Sequence, residues 1–120
     1  MSSIIPTWRR PSSRESIALS RLLSIGFTGR DEIRKQLDAC SVREIDENGS
    51  LEFLIPSARA LAHVTSRVPS EGEYSDSDGV TVHVLLHVVN GVVNELELFK
   101  EDNSVVKDRD GVAAIEVFSG

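Results

Sequence analysis

The chain has 120 residues, of which 40% are hydrophobic and 27% charged, and its formal net charge is −6. This length fits one domain, which we predict over residues 11–120 behind an N-terminal arm of residues 1–10. The negative charge disfavours a nucleic-acid binder, since such proteins need a basic surface to neutralise phosphates. One cysteine, Cys40, cannot form an internal disulfide, which predicts a cytoplasmic protein. We expect no signal peptide and no membrane partner because the apolar runs are short.

The charge is unevenly divided along the chain. Residues 1–43 contain eight basic and four acidic residues, whereas residues 44–120 contain five basic and fifteen acidic residues. Two oppositely charged parts that attract each other within one domain are the simpler interpretation. The alternative is that the C-terminal part carries an acidic surface that attracts a basic protein partner.

Two helices are predicted at the start of the domain. Ser12 and Glu15 have the spacing of a capping box, so the first helix is predicted to begin there. Its apolar residues recur at a spacing near 3.6, and Gly26 is the expected end. A second, shorter helix is predicted over residues 29–39, with Thr28 as its N-cap.

After the second helix the apolar period becomes two, which predicts strands joined by tight turns. The predicted strands cover residues 42–47, 51–55, 67–74 (an irregular edge strand), 80–89, 92–99 and 112–118. Asn48-Gly49 and Asn90-Gly91 are strong hairpin signals. Residues 58–64 fit either a helical turn or a short strand. Helices followed by strands predict an α+β fold, in which the two N-terminal helices pack on a mostly antiparallel sheet of four to six strands.

The register of the hairpin over residues 80–99 decides which side chains share a face. A two-residue turn that pairs Val89 with Val92 would mix glutamates with aliphatic residues on both faces. A three-residue loop with Gly91 in a bulge avoids this mixing, and we predict it. One face of the hairpin then holds the aliphatic residues Val82, Val84, Leu86, Val88, Val92, Leu96 and Leu98.

The other face of this hairpin gathers two histidines and two glutamates: His83, His87, Glu95 and Glu97. In the predicted register His83 lies opposite Glu97. His87 lies diagonal to Glu95. Such a group suits a zinc or iron site, or a general acid and base. Cross-strand pairing on a solvated face explains the same residues without a metal, and we favour it because no metal motif accompanies them.

No motif in the sequence predicts a catalytic residue or a cofactor. The glycines are dispersed, so they form no phosphate loop, and no serine lies in a nucleophile elbow. Asp76, Asp78 and Gly79 resemble part of a calcium loop. Tyr74 and Leu85 would then occupy positions that need carboxylates, so this segment is interpreted as a turn.

Three spaced segments carry a resemblance to a known family. They are Arg67-Val68-Pro69-x-Glu71, Asp76-x-Asp78-Gly79, and Leu85-Leu86-His87-Val88-x-x-Gly91-x-x-Asn94-Glu95-Leu96-Glu97. Together with an Arg-Pro start and helices ending in Leu-Leu and Gln-Leu, they cover about residues 9–100. On these residues the chain resembles a family of short acidic bacterial proteins of uncharacterised function. The resemblance implies a cytoplasmic bacterial protein and supplies no mechanism.

The sequence favours a non-enzymatic protein-interaction module over an enzyme. By size, charge and architecture the chain is also similar to immunity proteins, which neutralise a co-encoded toxin by covering its active site. The predicted contacts with a basic protein partner are Glu71, Glu73, Asp76, Asp78, Glu95 and Glu97. A small metal-binding protein or enzyme that uses the histidine and glutamate group is the alternative. A homodimer joined through a strand edge or an apolar patch between Leu85 and Phe99 is the third possibility.

Overall fold

Two α-helices, one 3₁₀ helix and six strands make up the part of the chain that the computed structural model describes, residues 7–57 and 60–119. The helices are α1 (Ser13–Leu22), α2 (Arg30–Asp38) and the 3₁₀ helix (Arg109–Ala114). The strands are β1 (Ser41–Glu44), β2 (Leu51–Leu54), β3 (Ser70–Ser75), β4 (Thr81–Val89), β5 (Val92–Lys100) and β6 (Glu116–Ser119). Residues 1–6 of the predicted arm lie outside the described residues.

Helix α1 begins with the predicted capping box. The Ser12 hydroxyl accepts a hydrogen bond from the Glu15 amide at 3.3 Å, and the Glu15 carboxylate accepts one from the Ser12 amide at 2.8 Å. The helix ends at Leu22, so the predicted end at Gly26 is wrong. The Ser24 amide donates to the carbonyl three residues back, and this tighter turn closes the helix early.

Helix α2 begins without the predicted cap. Gly29 is its N-cap with a φ of +93°, and no side chain caps the helix, so the assignment of Thr28 is wrong. A capping side chain needs an extended backbone at its own residue. Here the chain enters the helix through a left-handed conformation that glycine adopts readily.

The six strands form one antiparallel sheet in the order β1-β2-β5-β4-β3-β6. Side chains of α1 and α2, including Leu22 and Ile33, are buried with Val84 and Leu96 of the sheet, so the core lies between the helices and one sheet face. This confirms the α+β fold with two N-terminal helices on an antiparallel sheet. None of the described helices has both the length and the apolar character needed to cross a bilayer.

Three predicted elements differ in the structure. Strand β3 is an interior strand, because β6 pairs along its outer side, and the predicted edge position is wrong. Residues 109–114 form the 3₁₀ helix rather than the start of the last strand, since the Asp108 side chain caps this helix. Residues 60–64 have no regular secondary structure, while residues 58 and 59 lie outside the described residues.

The connection between β1 and β2 is longer than a two-residue hairpin turn. Glu44 pairs with Leu51, so six residues lie between the strands. The Asp46 carboxylate accepts hydrogen bonds from the amides of Asn48 and Ser50, at 2.9 and 3.1 Å, and holds the loop. The Asn48 amide group instead donates to β5, which explains why the Asn-Gly signal does not close a tight hairpin here.

The turn between β4 and β5 also differs from the predicted three-residue loop. Val89 pairs with Val92 across the two-residue turn Asn90-Gly91, whose residues have φ angles of 52° and 78°. Positive φ at both central residues is the type I′ geometry that matches the twist of the strands.

A bulge farther along β5 restores the separation of polar and apolar faces. Val93 pairs with Val88, whereas Glu95 pairs with His87, so Asn94 is the extra residue. Val93 therefore lies on the buried face, at 1% exposure, where Val92 was predicted.

Candidate functional site

The sheet face opposite the helices is solvent-exposed over the described residues, and we call it the open face. Residues paired across antiparallel strands share a face, so the register assigns its members. They include Arg43, Glu52, Leu54, Glu71, Glu73, His83, Leu85, His87, Glu95, Glu97, Phe99, Glu116 and Phe118. Three large apolar side chains stand out on it, because Leu54, Phe99 and Phe118 are 50%, 36% and 40% exposed.

The open face is strongly acidic. Its glutamates are Glu52, Glu71, Glu73, Glu95, Glu97 and Glu116. Arg43 is the one lysine or arginine at an open-face position of the described strands. Its guanidinium bonds to Glu52 at 3.1 and 3.2 Å and lies 4.5 Å from the ring centroid of Trp8. Five glutamates are left without such a partner, and four of the six predicted contact residues are among them.

His83 does not lie opposite Glu97 as predicted. It pairs with Phe99, and the two rings stack with centroids 4.9 Å apart. Its Nε2 lies 3.1 Å from a Glu101 carboxylate oxygen, and its Nδ1 lies 4.0 Å from Glu73. The partner of His83 lies two residues farther along β5 than predicted, because the two-residue turn and the Asn94 bulge each shift the register by one residue.

His87, Glu95 and Glu97 form a compact group. His87 lies directly opposite Glu95, and its Nε2 lies 2.8 Å from a Glu97 carboxylate oxygen. One candidate ligand atom from each residue lies within 4.8 Å of the other two. Burial raises the pKa of Glu95, and the charge of Glu97 adds to this effect, while His87 opposes it. Three of the four residues predicted as a metal alternative therefore lie together.

The other two predicted partner contacts, Asp76 and Asp78, form ion pairs with Lys100 of β5. Lys100 Nζ lies 3.0 Å from Asp76 and 2.6 Å from Asp78. Asp76 is only 4% exposed and also accepts hydrogen bonds from the amides of Lys107 and Asp108, at 2.8 and 2.7 Å. The Asp76 oxygens are therefore engaged within the fold.

Sequence reasoning missed Lys100 as the centre of this cluster. The side chain is fully buried on the helix-covered face of β5, where it continues the alternation of Leu96 and Leu98. A lysine in an apolar alternation is expensive to bury unless carboxylates pair with it. Asp76 and Asp78, which precede β4, were the sequence feature that could have indicated a buried partner for this lysine.

The comparisons with known proteins identify a family and no activity. A search of the curated proteins and a search of the solved structures found no match. A family profile matches residues 8–110, which covers α1, α2 and strands β1 to β5. The expectation of an uncharacterised family is thereby confirmed. The chain belongs to the family described as Domain of unknown function (DUF6984).

Proposed function

We propose that this protein is a non-enzymatic interaction module that binds a basic protein partner through the open face. One sheet face combines five glutamates that have no lysine or arginine ion-pair partner among the described residues with exposed Leu54, Phe99 and Phe118, and this observation carries the proposal. Exposed apolar groups of this size that share one surface are typical of interaction sites.

Charge complementarity defines the chemistry of the partner. Glutamates on a rigid sheet attract lysine and arginine side chains, and arginine binds carboxylates in a bidentate manner. The exposed aromatic rings provide apolar contact area between the charges, as in the centre of many protein interfaces. A partner that presents arginines around an apolar patch fits both features.

An immunity-like inhibitor is the specific form of this proposal. A small acidic domain in the bacterial cytoplasm would cover the basic active site of a toxin, as immunity proteins do. The free Cys40 is compatible with that compartment, because thiols stay reduced in the cytoplasm.

The experiment is affinity capture from the source organism with matched charge variants. Glu71→Gln/Glu73→Gln removes two open-face charges, and Glu32→Gln/Glu47→Gln removes two charges elsewhere. We expect one basic protein to bind the wild type and the control pair but to bind the open-face pair at least about tenfold more weakly. Its affinity should also fall steeply with salt. Equal binding by both pairs, or no captured protein, would contradict the proposal.

A further inference from the structure

We propose that His87, Glu95 and Glu97 bind one divalent transition-metal ion, with zinc as the ion that fits their donor atoms best. Zinc accepts imidazole nitrogen and carboxylate oxygen at about 2.0–2.2 Å. Two ligand atoms of one tetrahedral zinc ion therefore lie about 3.4 Å apart. The three candidate atoms lie within 4.8 Å of one another, so small side-chain rotations bring them to that distance.

The sheet holds the three side chains rigidly. His87 and Glu95 are a direct cross-strand pair on the two central strands, and Glu97 is the next open-face residue of β5. The Asn94 bulge creates this pairing, because it moves Glu95 into register with His87. A site built on paired strands changes little between its empty and occupied forms.

The charge around Glu95 is mixed, because Glu97 and Asp46 lie near it together with Arg67, and no lysine or arginine among the described residues pairs directly with the two glutamates of the group. Glu52, beside Glu95, is by contrast held by Arg43. A divalent ion would neutralise two adjacent carboxylates that repel each other.

The histidine ring is able to present Nε2 to a metal. Without a metal ion, Nε2 donates to the Glu97 carboxylate at 2.8 Å, so a metal ion that binds Nε2 displaces this hydrogen bond and leaves the ring proton on Nδ1. Nδ1 is buried and has no hydrogen-bond partner among the described residues. Metal-bound histidines commonly donate from their other nitrogen to an acceptor that strengthens the site. His87 lacks that acceptor among the described residues, and we therefore expect weaker binding than in a structural zinc site. With three protein ligands, water completes the coordination.

The test is isothermal titration calorimetry of tag-free, chelator-treated protein with zinc chloride. We expect one zinc per chain, and His87→Ala should abolish stoichiometric binding. Glu95→Gln or Glu97→Gln should weaken it by at least about tenfold. His83→Ala is the matched control, because His83 lies on the same strand and face but outside the group. It should retain the wild-type dissociation constant.

Thermal unfolding provides the second measurement and tests whether the variants fold. Zinc should raise the Tm of the wild type and of His83→Ala but leave that of His87→Ala unchanged. No stoichiometric binding by the wild type, or equal losses in the two histidine variants, would overturn the proposal. Glu71→Gln/Glu73→Gln should keep zinc binding, so the failure of the partner proposal and the failure of the metal proposal are distinguishable.

Discussion

At the scale of single residues, the ion pairs of buried Lys100 with Asp76 and Asp78 make the stability of the fold depend on pH in acid. Burial acts to raise the pKa of Asp76, but hydrogen bonds from the Lys107 amide and from Lys100 outweigh it, and the pKa lies well below its usual range. A depressed pKa stabilises the fold at every pH above the ordinary aspartate value of about 3.9. This stabilisation is lost as the pH falls through the folded-state pKa.

We predict that Asp76→Asn lowers the Tm at pH 7 by at least about 5 °C, because Lys100 then keeps only Asp78 as a carboxylate partner. The variant should also lose less stability than the wild type between pH 5 and pH 3, since the titrating group is gone. Thermal unfolding at a series of pH values measures both effects. Glu47→Gln, which removes an exposed carboxylate, should follow the wild-type curve. An unchanged pH dependence in Asp76→Asn would disprove the role of this carboxyl group.

Gly111 of the 3₁₀ helix packs closely against Tyr74 of β3. A Cβ atom at Gly111 would collide with the ring of Tyr74, whose hydroxyl donates to the Asp108 carbonyl at 2.9 Å. Gly111→Ala should therefore destabilise the protein by about 1–3 kcal/mol. Gly26→Ala is the control, because a Cβ there meets no atom within 4 Å, and it should be neutral or stabilising by up to about 1 kcal/mol. Similar free energies of unfolding in the two variants would contradict this packing argument.

At the scale of elements, Gln36 joins three separate segments. It is fully buried in α2, and its side-chain nitrogen donates to the carbonyls of Ala60 and Gly91 at 2.8 and 2.9 Å. Its side-chain oxygen accepts from the Val93 amide at 2.9 Å. One amide group thereby fixes the irregular segment after β2 and the β4–β5 turn against the helix.

We predict that Gln36→Leu costs about 1–3 kcal/mol of unfolding free energy, because it leaves the Val93 amide and the Ala60 carbonyl without a partner. Hydrogen exchange should show a local effect, with faster exchange at Val93 and unchanged protection at Leu96 in the middle of β5. Lys35→Leu alters the exposed neighbour and should change stability by no more than about 0.5 kcal/mol. Uniform loss of protection along β5 would count against the local role.

The order of the elements was predictable from the sequence, but the details that build the candidate site were not. The change from a 3.6 period to a period of two locates the helices and most strands. Alternation cannot choose between Val92 and Val93 as the buried residue, because both are valine, so the position of the bulge stayed open. The sequence therefore predicted that His87, Glu95 and Glu97 share a face, yet it assigned the wrong cross-strand pairs.

At the scale of the whole molecule, ion pairs within the domain join some of the basic residues of the N-terminal part to acidic residues of the C-terminal part. Arg9, whose backbone pairs with β1, joins the two parts, since its guanidinium lies 3.8 Å from the Glu44 carboxylate. Arg14 reaches Asp110 at 2.5 Å, although both side chains are exposed enough that this pair adds little stability. Such pairs between the basic and acidic parts support the simpler interpretation of the charge division. On the open face Arg43 forms such a pair with Glu52, yet the acidic side chains of the described strands outnumber the basic ones there.

Substitutions of the exposed apolar side chains on the open face test whether these residues bind a partner or stabilise the fold. Leu54→Ser/Phe118→Ser should change the free energy of unfolding by no more than about 1 kcal/mol, since both residues are substantially exposed. The same double variant should bind the captured basic partner at least about tenfold more weakly, because buried apolar anchors dominate interface energies. Ile17→Ser is the control, since Ile17 is 47% exposed on α1 and should leave the affinity unchanged. Sedimentation of the wild type tests whether the open face instead binds a second copy of this chain. A monomer is the expected result, whereas a dimer that the double variant dissociates would show that the open face binds a second copy of this chain and would contradict the proposed function.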